Sequence, residues 1–226
     1  MAFDSLPERL ARVRAEIADR QARSGARHSV TIMAVTKGHG PQAVHAAIAA
    51  GLTAVGENRV QEALRKQDEV GDTAVAWHLI GSLQRNKARH VVGRFALVHS
   101  VDSPELALEL DRRVTAPPQA VLLQVNCSRE PHKGGVEPDD LAALLDASER
   151  CERVAVRGLM TMAALDADEA EQRRTFALLR ELRDRHARPS RMLEELSMGM
   201  SDDYGVAVEE GATIIRLGSA LLRARS

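Results

Sequence analysis

Lysine is scarce in this chain: it occurs only at positions 37, 66, 87 and 133, against 27 arginines. Where any cation suffices, the sequence uses arginine. Aromatic residues are scarcer still, with three Phe, one Tyr and one Trp, so the core must be built from Ala, Val, Leu and Ile. The two cysteines, Cys127 and Cys151, make neither a disulfide framework nor a metal spacing. Eight histidines are scattered without a paired metal-and-base signature, so zinc chemistry is not indicated. No apolar run approaches the roughly 18 residues of a membrane span, and no signal peptide is evident, so a soluble, cytoplasmic protein is expected. A formal charge of −1 without a basic block argues against nucleic acid as a partner. Arginines alternate with acids between Glu169 and Arg188, the pattern of a solvated helix face.

What is present is a regular alternation. A helix is expected at about 5–22, with Pro7 in its first turn. Eight strand candidates follow: Val30–Thr36, Ala54–Glu57, Ala76–Ile80, Ala96–Val101, Ala120–Asn126, Val154–Met160, Glu194–Met198 and Thr213–Leu217. Several carry the Val, Ile and Leu enrichment of strands buried on both faces. Gly40-Pro41, Ser103-Pro104 and Glu137-Pro138 each place proline where a first helical residue belongs. With eight βα-like units and no linker or composition break, the expected fold is α/β, a single (β/α)8 TIM-type barrel domain over residues 1–226. An open doubly wound sheet is the alternative, since counting strands does not prove closure.

Barrel active sites lie at the C-terminal ends of the strands. The first strand ends in Lys37. Lysine, unlike arginine, can lose its proton and condense with a carbonyl. The bland alternative is a strand-end lysine reaching solvent. At the last two strand ends, Ser197-Met-Gly-Met-Ser201-Asp-Asp and Arg216-Leu-Gly218-Ser219 offer glycine backbone and hydroxyls for a phosphate. Ser201 is expected to cap the helix that follows. A carbonyl-reactive lysine and a phosphate cradle in one barrel are together what pyridoxal 5′-phosphate (PLP) requires.

The segments Ala34-Val-Thr-Lys37, Gly56-Glu-Asn-Arg-Val-Gln-Glu62 and His78-Leu-Ile-Gly-Ser-Leu-Gln-Arg-Asn-Lys87 resemble signatures of the YggS/PROSC family of PLP homeostasis proteins. So do His132-Lys-Gly-Gly-Val136, Gly158-Leu-Met-Thr-Met162, Leu196-Ser-Met-Gly-Met-Ser-Asp-Asp203 and Arg216-Leu-Gly-Ser219, in family order. The resemblance implies a barrel similar to the N-terminal domain of alanine racemase. It implies that Lys37 holds PLP as a Schiff base, that Ser197 or Ser201 with Gly218 and Ser219 holds the phosphate, that Arg216 faces the pyridine nitrogen, and that Asn58 lines the pocket. Lys37 is followed by Gly-His-Gly-Pro, where the family usually has a polar triplet, which leaves His39 without a role.

The resemblance also bears on catalysis. The similar racemases take a second base, a tyrosine, from an additional β domain of a partner subunit. Here the only tyrosine, Tyr204, sits on the phosphate side. An arginine at the pyridine nitrogen also leaves the ring a poorer electron sink. A monomeric carrier that buffers PLP or delivers it to apo-enzymes is therefore expected. An amino-acid racemase, or a phosphate-binding barrel using Lys37 only as a cation, is the alternative. Met160, Met162, Met198 and Met200 are expected to pack, and His78 and His99 to be satisfied core or rim histidines. Lys87 is expected on a helix, and Glu57 is either a pocket carboxylate or a strand-end partner of an arginine.

Overall fold

Eight parallel strands close on themselves in sequence order in the computed structural model, which describes residues 3–115, 117–131 and 133–222. They are β1 (Thr31–Val35), β2 (Ala54–Glu57), β3 (Ala76–Leu79), β4 (Leu97–Val101), β5 (Gln119–Gln124), β6 (Val154–Met160), β7 (Glu195–Ser197) and β8 (Ile214–Leu217). The seam is made where β1 pairs with β8, from Thr31 opposite Ile214 to Ala34 opposite Leu217. The open-sheet alternative is thus excluded.

The helices are α1 (Leu6–Ser24), α2 (Pro41–Ala49), α3 (Val60–Val70), α4 (Pro104–Arg113), α5 (Leu141–Glu149), α6 (Glu169–His186), α7 (Tyr204–Glu209) and α8 (Ser219–Leu222). Leu6, Leu10, Val13 and Ile17 bury one stripe of α1, which packs on α7 and α8 outside the seam. Pro41 and Pro104 open their helices as the sequence suggests, whereas Pro138 opens a 3₁₀ turn and α5 begins only at Leu141. Asp168 and Glu171 close a capping box at the start of α6. Among the described residues no helix is long and apolar enough to cross a membrane.

Two apolar layers follow from strand alternation. Met33, Ala54, Leu97, Leu122, Met160 and Ile214 fill the barrel interior. The opposite faces, including Ala34, Val55, Val98, Val121 and Ile215, pack beneath the helices. Both β2 and β6 have the expected bounds. β7 is one residue shorter than expected at each end, and past its C-terminal end Gly199, at φ +92°, turns the chain. At Gly158 the backbones of β6 and β7 approach so closely that a Cβ would lie 1.9 Å from Glu195 O. Gly158→Ala is therefore expected to destabilise the protein by about 3 kcal/mol, read as a lower urea midpoint. An unchanged midpoint would mean the two strands can separate without cost.

Candidate functional site

Met33 points into the barrel, and the two-residue alternation carries that inward side to Lys37, just past the end of β1. The Lys37 side chain is exposed and has no hydrogen bond or ion pair to any described residue. The next residue, Gly38, has φ +75°, a conformation that suits glycine. His39, left without a role by the sequence, packs edge-on against Phe3 with ring centroids 5.8 Å apart.

The adjoining wall comes from β7 and β8. Arg216 is buried, with Nη1 donating to Ser197 Oγ at 2.7 Å and Nη2 to Thr161 O at 2.9 Å. Burial lowers its pKa to about 10, and the nearby Asp203 carboxylate acts against that shift. Ser197 Oγ also lies 2.8 Å from His99 Nδ1, and His99 Nε2 lies 3.0 Å from His78 Nδ1. One arrangement satisfies the whole series: Arg216 donates to Ser197, Ser197 to His99, and His99 to His78. Both histidines are buried, as expected of satisfied core histidines, and burial holds them neutral. His78 is lowered to about 4, and His99 lies well below its ordinary range.

Around Gly199, Ser201 does not cap α7 as the sequence suggested. The helix starts at Tyr204, and Ser201 Oγ instead accepts from Ala220 N at 3.1 Å, tying the two last βα loops together. Asp203 folds back to accept from Met200 N. Burial raises its carboxyl above the usual range. Ser201 and the exposed Ser219 share a recess of about 400 Å³ with Arg9, Arg12 and Tyr204. Gly218 beside it has no neighbouring atom within 3.8 Å of where a Cβ would sit, other than Val35 at that distance.

Past the end of β2, Asn58 has its side-chain oxygen buried and without a partner. Its backbone is approached by Gly81, where a Cβ would lie 2.1 Å from Asn58 O. Glu57 resolves differently from both sequence readings: it faces the helices and its partner is Lys66, not an arginine. Lys66, the lysine that sequence reasoning left without comment, donates to Glu57 Oε1 at 2.7 Å, Thr36 O at 2.7 Å and Glu62 Oε1 at 2.8 Å. Its spacing of four from Glu62 was the available signal. Lys133 donates to Ala163 O at 2.6 Å and pairs with Glu130; His132 lies outside the described residues. Lys87 sits on a 3₁₀ turn, Arg85–His90. Met160, Met162 and Met198 pack in the two apolar layers. No group of His, Cys, Asp and Glu among the described residues could hold a metal.

The barrel mouth thus offers a free amine, a buried guanidinium on the neighbouring strand, an unpartnered acceptor at Asn58, and a basic recess with two serine hydroxyls. That set fits a small anionic aldehyde with a polar ring. Of the residues singled out from sequence, Lys37, Asn58 and Arg216 belong to adjoining strands, while Ser201, Gly218 and Ser219 form the recess side. Ser197 stands apart, fully buried in the interior and committed to Arg216 and His99.

Residues 9–226 match the family described as alanine racemase, N-terminal domain. A pyridoxal phosphate homeostasis protein of Pseudomonas aeruginosa is 43% identical over 227 residues, covering 99% of this chain and 97% of that one. One of Aquifex aeolicus is 40% identical over 222 residues, covering 96% and 97%. The structure of PipY of Synechococcus elongatus with PLP bound superposes with a TM-score of 0.81 at 44% identity, over 91% of this chain and 99% of that one. An alanine racemase of Clostridium difficile shares the barrel alone, with a TM-score of 0.70 and 13% identity over 92% of this chain and 55% of that one.

Proposed function

This chain belongs to the alanine racemase N-terminal-domain family, among its pyridoxal phosphate homeostasis proteins, and from that premise we propose that it binds PLP and takes part in keeping the cofactor's level in the cell. The observation that carries the reading is the partnerless Lys37 amine past the end of β1, beside buried Arg216 on the neighbouring strand β8. Bound PLP supplies an aldehyde that an amine captures reversibly, with loss of one water. Lys37 provides that amine, and the proposed attachment is a Schiff base on its Nζ. Arg216 faces the ring nitrogen as a fixed cation, held by Ser197 and Thr161. Asn58 offers its unpaired oxygen to a ring substituent.

For the phosphate, the geometry favours Ser201 over Ser197. Ser201 lies in the recess with Ser219 and the α1 arginines, beside Gly218, whereas the Ser197 hydroxyl is enclosed and already bonded. Arg9 and Arg12 add positive charge that no sequence argument had brought to this site.

The chain acts as a single-domain, monomeric, cytoplasmic carrier that buffers PLP or passes it to apo-enzymes. Racemisation requires an acid–base group on each face of the reacting carbon. Tyr204 does not serve as the second: it begins α7 in the recess, and burial, with Glu16 nearby, raises its pKa. The test is to load the protein with PLP, remove free cofactor by desalting, and add an apo-form of a PLP-dependent enzyme. The recipient is expected to regain activity, and amino acids incubated with the loaded protein are expected to keep their configuration. Failure to retain PLP through desalting sinks the reading, and turnover of an amino acid that depends on Lys37 replaces it with an enzyme.

A further inference from the structure

The fourth lysine is buried with its charge, and the groups it holds lie on both sides of Lys37. Lys66 is 5% exposed on α3, and its ammonium spends its three donors on Thr36 O, Glu57 Oε1 and Glu62 Oε1. Thr36 precedes Lys37. The same Glu62 oxygen accepts from Gly38 N at 2.8 Å, and Gly38 follows Lys37. Thr36 Oγ1 donates to Glu57 at 2.5 Å, which fixes the first of these two flanks again. We propose that Lys66, with Glu62, is the positioning residue for Lys37, gripping the backbone on either side of it so that the free amine is held at the barrel mouth in one orientation.

The local chemistry supports this role over simple stabilisation. Burying an ammonium and a carboxylate is a poor way to stabilise a sheet–helix interface, which an apolar pair fills as well or better. This cluster also leaves Glu57 Oε2 buried and unpartnered. What it does deliver is definition of a loop that would otherwise be soft. Lys37 has no side-chain partner, and Gly38 takes a left-handed conformation open to few other residues. Holding a reacting group in its productive direction is where such fixed geometry tells most on affinity and rate. Lysine suits the position because three acceptors converge on one nitrogen, an arrangement the planar guanidinium cannot match.

The inference rests on the PLP reading, and its test separates the two. Wild type and Lys66→Met are titrated with PLP and with pyridoxine 5′-phosphate, an alcohol that keeps the ring and phosphate but has no aldehyde to capture. In Lys66→Met the dissociation constant for PLP is expected to rise at least about tenfold, while that for the alcohol stays within about twofold. Equal weakening of both ligands would make Lys66 merely structural, and no change in either would remove it from the site; both outcomes overturn the proposal. Wild type that binds neither ligand would overturn the PLP reading itself. Glu62→Ala, which releases only the Gly38 side from a half-buried position, is expected to weaken PLP by a smaller factor and again to spare the alcohol. Should Lys66→Met not fold, unchanged PLP binding in Glu62→Ala overturns the proposal.

Discussion

With Lys37 replaced by alanine, borohydride treatment of the PLP-incubated protein is expected to leave no label on the β1–α2 peptide, and the visible absorbance of bound cofactor is expected to vanish. The expectation is this absolute because the chain has so few amines to substitute. Of the other three lysines, Lys66 has committed all three donors. Lys133 is engaged by Ala163 O and Glu130. Lys87 lies on a 3₁₀ turn between β3 and β4, outside the set of mouth residues. Lys37→Arg keeps the charge but cannot condense with a carbonyl, so it should lose the label equally. Retention of PLP by Lys37→Arg would instead point to a barrel that uses position 37 only as a cation. The recess at Ser201 and Ser219 is expected to keep a weak, reversible affinity for phosphate in both variants.

Acidification is expected to cost a large part of the protein's stability well above the carboxylate range. His78 is held down to about 4 by burial, and His99 well below its ordinary value by burial, with His78 and Arg216 adding to it. Above pH 6.5 both are neutral in folded and unfolded chains, and their contribution is constant. As pH falls below 6.5 the unfolded chain binds protons that the folded barrel refuses. Stability then drops until pH reaches the folded value, which for His78 is near 4. Between pH 6.5 and 5, His78 alone should cost about 2 kcal/mol, and His99 acts in the same direction. Burial raises the carboxyls of Glu57, Asp102 and Asp203, and these pull the other way. The readout is therefore the urea-unfolding free energy against pH, for wild type beside the double variant His78→Gln, His99→Gln. A flatter slope in the double variant is expected; equal slopes would mean the two rings titrate freely in the folded protein.

The sequence made the barrel legible because each βα unit announces itself locally. Apolar runs placed β1, β2 and β6 with little error, and Gly40-Pro41 and Ser103-Pro104 marked the starts of α2 and α4. The site was legible where a residue's own chemistry marks it, as with Lys37 against a background of arginine. What depended on partners far along the chain was not. Ser201 reads as a helix cap beside Asp202, yet it reaches Ala220. Ser197 reads as a phosphate ligand, yet strand alternation turns it inward, where His99, 98 positions away, and Arg216 take it. Lys66 has an ordinary helical i, i+4 match with Glu62. Its bond to Thr36 O exists only because α3 packs over the end of β1. The α1 arginines reach the recess through packing across the seam, which no local pattern encodes.

That seam has a consequence for how the protein is made. Lys37 follows β1, and Arg216 lies on β8, its hydrogen-bonded neighbour in the closed ring, although nearly the whole chain is synthesised between them. Contacts of such large sequence separation are slow to form, because the loop they close is long. The ribosome therefore releases every other strand before the two halves of the cofactor pocket can meet. A nascent chain that has reached α6 can hold a nearly complete sheet and still have no pocket. Cofactor capture then reports the last act of folding. Because PLP would bind only the closed form, its presence in the cell would draw newly made chains towards closure by mass action.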